Sequence, residues 1–318
     1  APHFINGQFI GPLNMRETNN KHFASSNWGI DTDDMDQFEM SPDSGYVQKE
    51  GDKTYFKEWY DLSFDAADDA VYEKICNSYV DIDEFTNYIA SQIYIGGTDF
   101  PQNNVKAYRP RVENGKFRFV SFDLDFAFNA SDPFNNMFSK QYYTFDTLYD
   151  LTDAIASGRI LSGNRIYDEI EVVTIFKNML KNDTFRKKFI DTFCLIAGSV
   201  FEPTRCQAIV DELKARVYDS MENYERSALN SSANKVRNGF SKSLQNTRTN
   251  LMKNNYDEYF HLRNVDRQAA SFSANIPEAR ITYNGMPVPT NKFSGFIFAP
   301  VTLRASAPAG YKFVGWQT

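Results

Sequence analysis

Cysteine and histidine are scarce in this chain, and their scarcity removes several chemistries at the outset. Cys76, Cys194 and Cys206 are odd in number and show no C-x-x-C spacing, so neither a disulfide framework nor a cysteine zinc site is indicated. Cys76 and Cys194 lie among apolar residues and read as small core hydrophobes. Cys194 and Cys206 can pair if the compartment is oxidising; spacing does not decide it. His3, His22 and His261 are too scattered for a metal triad or a Ser-His-Asp arrangement. No apolar run approaches the ~20 residues of a membrane span. Positive charge is also short: 34 Lys+Arg face 41 Asp+Glu, a net of −7, which argues against a general nucleic-acid binder. A signal-peptide pattern is not visible and the chain begins at Ala1, so a mature form or an excised piece is expected.

What is present is aromatic. With 28 Phe, 18 Tyr and 42% hydrophobic residues in 318, the chain has ample material for a core, and one large domain with an appendage is expected. Charge divides unevenly: residues 1–150 hold 25 acids and 12 bases, residues 151–318 hold 16 and 22. An acidic half suits a cation site and a basic half an anionic substrate, although two solvated faces of unequal sign account for the same numbers.

Patterning assigns the elements. Phe4–Gly11 reads as a hairpin around Asn6-Gly7, both tolerant of positive φ, with the second strand expected to run on through Glu17. From Asn19 to Asp52 the polar, Gly/Ser/Asp-rich sequence reads as long loops with short elements. Asp81 and Glu84 have capping-box spacing ahead of Phe85, Tyr88, Ile89 and Ile93, which predicts a helix over 82–95 ending at Gly96-Gly97. Two strands, Val105–Arg109 and Phe117–Phe122, follow around a turn at 113–116. Residues 145–260 read as mostly helical, with apolar spacing in Val172–Leu180, Phe185–Ile196 and Ala208–Tyr218. The basic run from Arg226 to Lys253 reads as a solvated face, or as a phosphate-facing surface. Beyond 270, short strand-like runs at 281–284, 296–298, 301–304 and 311–316 suggest a small β module.

The chemistry concentrates in 96–128. The spacing Asp99-x-x-x-x-Asn104 matches a kinase catalytic loop, where an Asp takes the hydroxyl proton and an Asn holds a metal. Asp123, at a strand end, then stands where a metal-binding Asp is required, with Asp125 beside it. Each acid taken singly reads as a turn or cap residue; the order helix, Gly-Gly, Asp loop, Asn, hairpin, Asp is a narrower coincidence.

Three stretches, Phe4–Glu17 (FINGQFIGPLNMRE), Asp81–Asn104 (DIDEFTNYIASQIYIGGTDFPQNN) and Phe117–Phe128 (FRFVSFDLDFAF), resemble the CotH kinase family, the spore-coat protein H relatives with an atypical protein-kinase-like fold. The resemblance covers roughly residues 4–265. It implies an ATP- and Mg²⁺-dependent kinase acting on Ser of secreted or surface proteins. Carried over residue by residue, it makes Asp99 the catalytic Asp that accepts the hydroxyl proton and Asn104 and Asp123 the metal ligands, with Asp125 a second candidate beside Asp123 and Glu17 near the lobe junction. Relatives carry a basic, glycine-containing segment ahead of the NG strand. None precedes Ala1, so an incomplete N-lobe is expected, or a phosphate cation from elsewhere, for which Lys49 and Lys53 offer themselves.

The tail, V-T-L-R-A at 301–305 and G-Y-K-F-V-G-W at 310–316, resembles the end of a listerial-type B repeat and implies an extracellular or cell-surface bacterial protein. Two further signals are weaker. Asp31–Asp36 resembles a calcium loop but has Met35 at a ligand position and no loop Gly. Arg109-Pro110-Arg111 reads as a basic hairpin tip. The expected fold class is thus α+β: a kinase-like core over 1–265 with a largely helical C-lobe, and a small β module over 270–318. The partners implied are a nucleotide and a secreted or surface protein, with no nucleic acid and no membrane span. A non-catalytic surface or adhesion protein using the same scaffold is the alternative, and a glycosidase using Asp99 and Asp123 a more distant one.

Overall fold

The computed structural model describes residues 2–13, 15–41, 44–95, 100–124, 127, 170–251 (backbone alone over 238–251) and 267–317. Among them are eight helices and several small antiparallel sheets, an α+β arrangement. The N-terminal hairpin forms as read: β1 (Pro2–Ile5) and β2 (Gln8–Pro12) turn at Asn6 and Gly7, with φ of 51° and 80°. The second strand stops at Pro12 rather than continuing to Glu17. Residues 15–19 instead run without regular structure as a strap into α1 (Lys21–Trp28).

The main sheet has the order β4-β3-β5-β6, all antiparallel, from β3 (Met35–Ser41), β4 (Gly45–Glu50), β5 (Lys106–Pro110) and β6 (Arg118–Val120). Two of these strands fall in the stretch expected to be loops. β3 hides from patterning because it is buried on both faces. Phe38 and Met40 point to one core, Met35 to another, and Asp36 is buried as half of an ion pair.

That ion pair corrects two expectations. Arg109 is no solvated tip: it is buried and donates to Asp36 Oδ2 at 2.7 Å, to the Gly115 carbonyl at 2.9 Å and to the Val112 carbonyl at 3.2 Å. Its guanidinium lies 3.4 Å from the centre of the Tyr55 ring, a cation–π contact. Asp36, the last acid of the calcium-loop-like run, is consumed by Arg109 and Arg111, and Met35 is core.

The sheet is sandwiched. On one face α1 supplies Phe23, Ala24 and Trp28 against Met35, Tyr108 and Val120. On the other, α2 (Thr54–Ser63), α3 (Asp69–Ser78) and α4 (Ile82–Ile95) build the large core, with Phe56, Trp59 and Phe85 around Phe38, Phe117 and Phe119. α4 has the predicted bounds, but only half of its capping box. The Asp81 carboxylate accepts from Glu84 N at 3.3 Å, whereas Glu84 accepts from Phe119 N in β6 at 2.9 Å.

The C-terminal half is helical as read where it is described: α5 (Glu171–Met179), α6 (Asp183–Gly198), α7 (Pro203–Tyr218) and α8 (Asn223–Leu251). Asn182 caps α6, accepting from Thr184 N and Phe185 N. The expectations for 145–169 and 252–260 lie outside the described residues. No disulfide joins Cys76, Cys194 or Cys206. In the basic run, Arg226 donates to the Tyr218 carbonyl at 2.9 Å and Arg237 pairs with Asp211, so these two cations are committed to helix packing.

The tail forms two small sheets, β10-β7 and β11-β8-β9, from β7 (Arg267–Ser273), β8 (Arg280–Tyr283), β9 (Met286–Pro287), β10 (Lys292–Phe298) and β11 (Leu303–Ser306). The run 311–316, expected as a strand, has no regular structure. These sheets pack on α6. Asp191 accepts from Asn284 Nδ2 at 2.9 Å and from Tyr283 Oη at 3.4 Å. A Cβ built on Gly295 would come 3.1 Å from Gly198 Cα, and one on Gly198 would overlap the Phe293 ring. That ring stacks on both Phe272 and Tyr283 and cannot easily step aside. Gly198→Ala is therefore expected to destabilise the protein by about 1–3 kcal/mol through overpacking, read from denaturant unfolding. In a Phe293→Ala background the same change should cost little; equal costs in both backgrounds would show that the ring is not the obstacle.

Candidate functional site

The site forms where α4 and the β5–β6 hairpin end together. Described residues resume after α4 at Phe100, whose buried ring meets Tyr88 of α4 edge-on at 6.2 Å. The chain then reaches Asn104, two residues before β5, while Asp123 follows three residues after the end of β6. Both adopt left-handed backbone, with φ of 55° and 52°. Asn and Asp are the non-glycine residues that best tolerate this region, and such conformations concentrate at functional sites. Asn104 Nδ2 donates to the Asp123 carbonyl at 3.1 Å, closing the open end of the hairpin. Tyr88 Oη donates to the Asn104 carbonyl at 3.4 Å, tying the pair to α4.

Asn104 is buried, whereas the Asp123 side chain is 47% exposed. The Asp123 carboxylate faces Arg16 Nη1 of the strap at 3.9 Å, and Arg16 is itself 70% exposed. A pair so open to water is worth about 0–1 kcal/mol. The strap is better fixed than this pair: Lys106 Nζ donates to the Asn19 carbonyl at 2.9 Å, and Asn27 Nδ2 donates to Glu17 Oε1 at 3.1 Å.

The sequence-derived candidates separate accordingly. Asn104 and Asp123 are brought together. Glu17 lies beside the site through its neighbour Arg16, with its own carboxylate bonded to Asn27 of α1. Lys49 is committed to Glu39 at 2.9 Å, on the same face of the sheet as Lys106, which meets Glu39 at 3.4 Å. Burial alone would raise the Glu39 carboxyl; bonds and charge from Lys49 and Lys106 outweigh it and hold the group below its ordinary value. Lys53 precedes α2 on the connection from β4. That connection lies by Asp36 and Arg111, at the edge of the sheet away from Asn104. Asp99 and Asp125 lie outside the described residues. Among the described residues no group of three or more His, Cys, Asp or Glu side chains converges on a metal position.

Three residues near the site carry no role in the sequence reading. Arg16 enters the sequence reading only within the stretch Phe4–Glu17. Lys106, two residues after Asn104, lies 4.8 Å from the Phe122 ring centre and props the residue before Asp123. Tyr88 reads from sequence simply as helix core. Alongside runs an open groove of ≈ 560 Å³ between α4 and β6, lined by Asp81, Asp83, Glu84, Asn87, Tyr88, Ser91 and Ser121. Asp81 and Asp83 in it are paired with Arg118 and Lys188.

Glu84 sets the electrostatics of this wall. Burial pushes its carboxyl up to about 8 from 4.5; the Phe119 N–H and Arg118 oppose the shift and Asp81 adds to it. A carboxyl raised in the folded state contributes stability that is complete below its unfolded value and is lost as pH rises through the folded one. Glu84→Gln keeps a neutral acceptor for Phe119 N and removes this dependence. Between pH 5 and pH 9 the wild type should lose stability relative to Glu84→Gln, measured as the difference in urea midpoints. A difference that stays constant across that range would sink the assignment.

No curated protein matches this chain. The family model described as CotH kinase protein matches residues 3–265, a span that takes in the hairpin, the strap, the whole sheet and the pair at its open end. The chain belongs to the CotH kinase family.

Proposed function

We propose that this protein transfers a phosphoryl group from Mg·ATP to serine hydroxyls of secreted or surface proteins. The observation that carries the reading is the pairing of Asn104 with Asp123 at the end of one hairpin. The donors suit the metal: a half-exposed carboxylate and an amide, whose oxygen is the atom of that group that binds hard cations. Mg²⁺ takes hard oxygen ligands of this kind. Asn104 and Asp123, with Asp125, would hold it. When bound, it would supply electrostatic stabilisation of the charge that develops during phosphoryl transfer.

The protein's own residues do the rest. Asp99, ahead of the buried Phe100, takes the proton of the acceptor hydroxyl. The Asn104–Asp123 bond and the Tyr88 hydroxyl keep the two ligands at fixed separation before the nucleotide arrives, which removes a reorganisation cost from the reaction. Glu17 and Lys49 act through the strap and sheet rather than by touching the nucleotide. The surface-protein substrate and an extracellular or cell-surface location are supported by the B-repeat-like tail alone.

Calorimetric titration of Mg·ATP into the wild type and into Asp123→Ala tests the proposal. Binding is expected in the wild type and should weaken about tenfold to a hundredfold in the variant, since a metal ligand is lost. A wild type that binds no Mg·ATP would overturn the kinase reading for this chain and leave the scaffold as a binding module.

A further inference from the structure

Kinase-like sites need a cation other than the metal beside the phosphates, and the two lysines that sequence offered do not supply it. Lys49 is held by Glu39, and Lys53 belongs to the far edge of the sheet. Lys106 is nearer, but its ammonium is shared between the Asn19 carbonyl, Glu39 and the Phe122 ring. Lys21 is drawn to Glu50 at 3.8 Å. Arg16 differs from all of these. Among the described residues its guanidinium meets only Asp123, at 3.9 Å and from solvent.

We infer that Arg16 is the phosphate-contacting cation of this site, resting on Asp123 while the metal is absent and passing to the nucleotide's phosphates when Asp123 takes the metal. The inference rests on the metal–nucleotide reading of Asn104 and Asp123. Three arguments carry it. First, a guanidinium and a divalent ion compete for one carboxylate, and the ion has twice the charge and is the smaller, so the long exposed pair gives way. Second, the displaced guanidinium stays local, because its backbone root is fixed through its neighbour Glu17 and through Asn19. Third, the phosphates that would accompany the metal are the strongest anions to reach this spot, and the planar fork of an arginine matches phosphate oxygens two at a time.

The arrangement makes opposite predictions for the metal and for the nucleotide. Mn²⁺ binding alone, followed by electron paramagnetic resonance, should be unchanged or several-fold tighter in Arg16→Ala, because a competitor for Asp123 has gone. Mg·ATP binding by calorimetry should weaken about tenfold or more, as expected for a lost charge-assisted bond. Arg16→Lys should recover part of that loss, and adenosine binding should not change. If Arg16→Ala binds Mg·ATP as the wild type does while Asp123→Ala does not bind it, Arg16 is only a surface partner of Asp123 and the inference fails alone. If Asp123→Ala still binds Mg·ATP at wild-type affinity, the site reading fails and takes the inference with it. Weaker Mn²⁺ binding in Arg16→Ala would also overturn it, since Arg16 would then be supporting the metal site rather than competing for it.

Discussion

The contact of β6 with α4 is the constraint from which the site's geometry follows. Phe119 stacks on Tyr88 with centroids 5.0 Å apart and leans on Phe85 at 5.2 Å, while its backbone N–H is taken by Glu84. Each such ring contributes roughly 1.5–3 kcal/mol by burial, and the hydrogen bond removes the freedom to slide along the helix. Asn104 lies beyond the end of one element and Asp123 beyond the end of the other. Their separation is therefore inherited from a packed aromatic layer and needs only one further bond, Asn104 to the Asp123 carbonyl, to become definite.

The two ends of the main sheet handle charge in opposite ways. At the end by Pro110, Asp36 and Arg109 are buried, fully bonded and backed by the Tyr55 ring. Such a pair adds little net stability but is costly to break, so it specifies one register. By Asn104, the charged pair is long and wet. One charged pair is held by desolvation and full bonding, and the other is left in water.

Legibility followed the periodicity of the residues concerned. α4, α5, α6 and the N-terminal hairpin were readable because apolar spacing and turn chemistry agreed there. β3 and β4 were not, because Asp36, Gln37 and Glu39 look like loop residues until Arg109, Lys49 and Lys106 are brought across the sheet to meet them. Arg109 looked solvated for the same reason. Asn104 and Asp123 are singled out by spacing and resemblance, and the structure brings them together. The neighbours that define their setting, Arg16, Tyr88 and Lys106, are not singled out, because each is local to the site only in three dimensions.

The glycine contact between α6 and β10 has a mechanical meaning. With no side chain on Gly198 or Gly295, backbone meets backbone there, and Phe293 is wedged beside them. Such a joint has little slack. A pull on the chain beyond β11 would load α6 through this joint and through Asp191, rather than being taken up by a linker. α6 packs in turn against α4, where Phe193 meets Tyr94 at 5.7 Å. Tension in the tail and the position of α4 thus share one rigid path, so a pull at this end reaches the helix whose Tyr88 holds the Asn104 carbonyl.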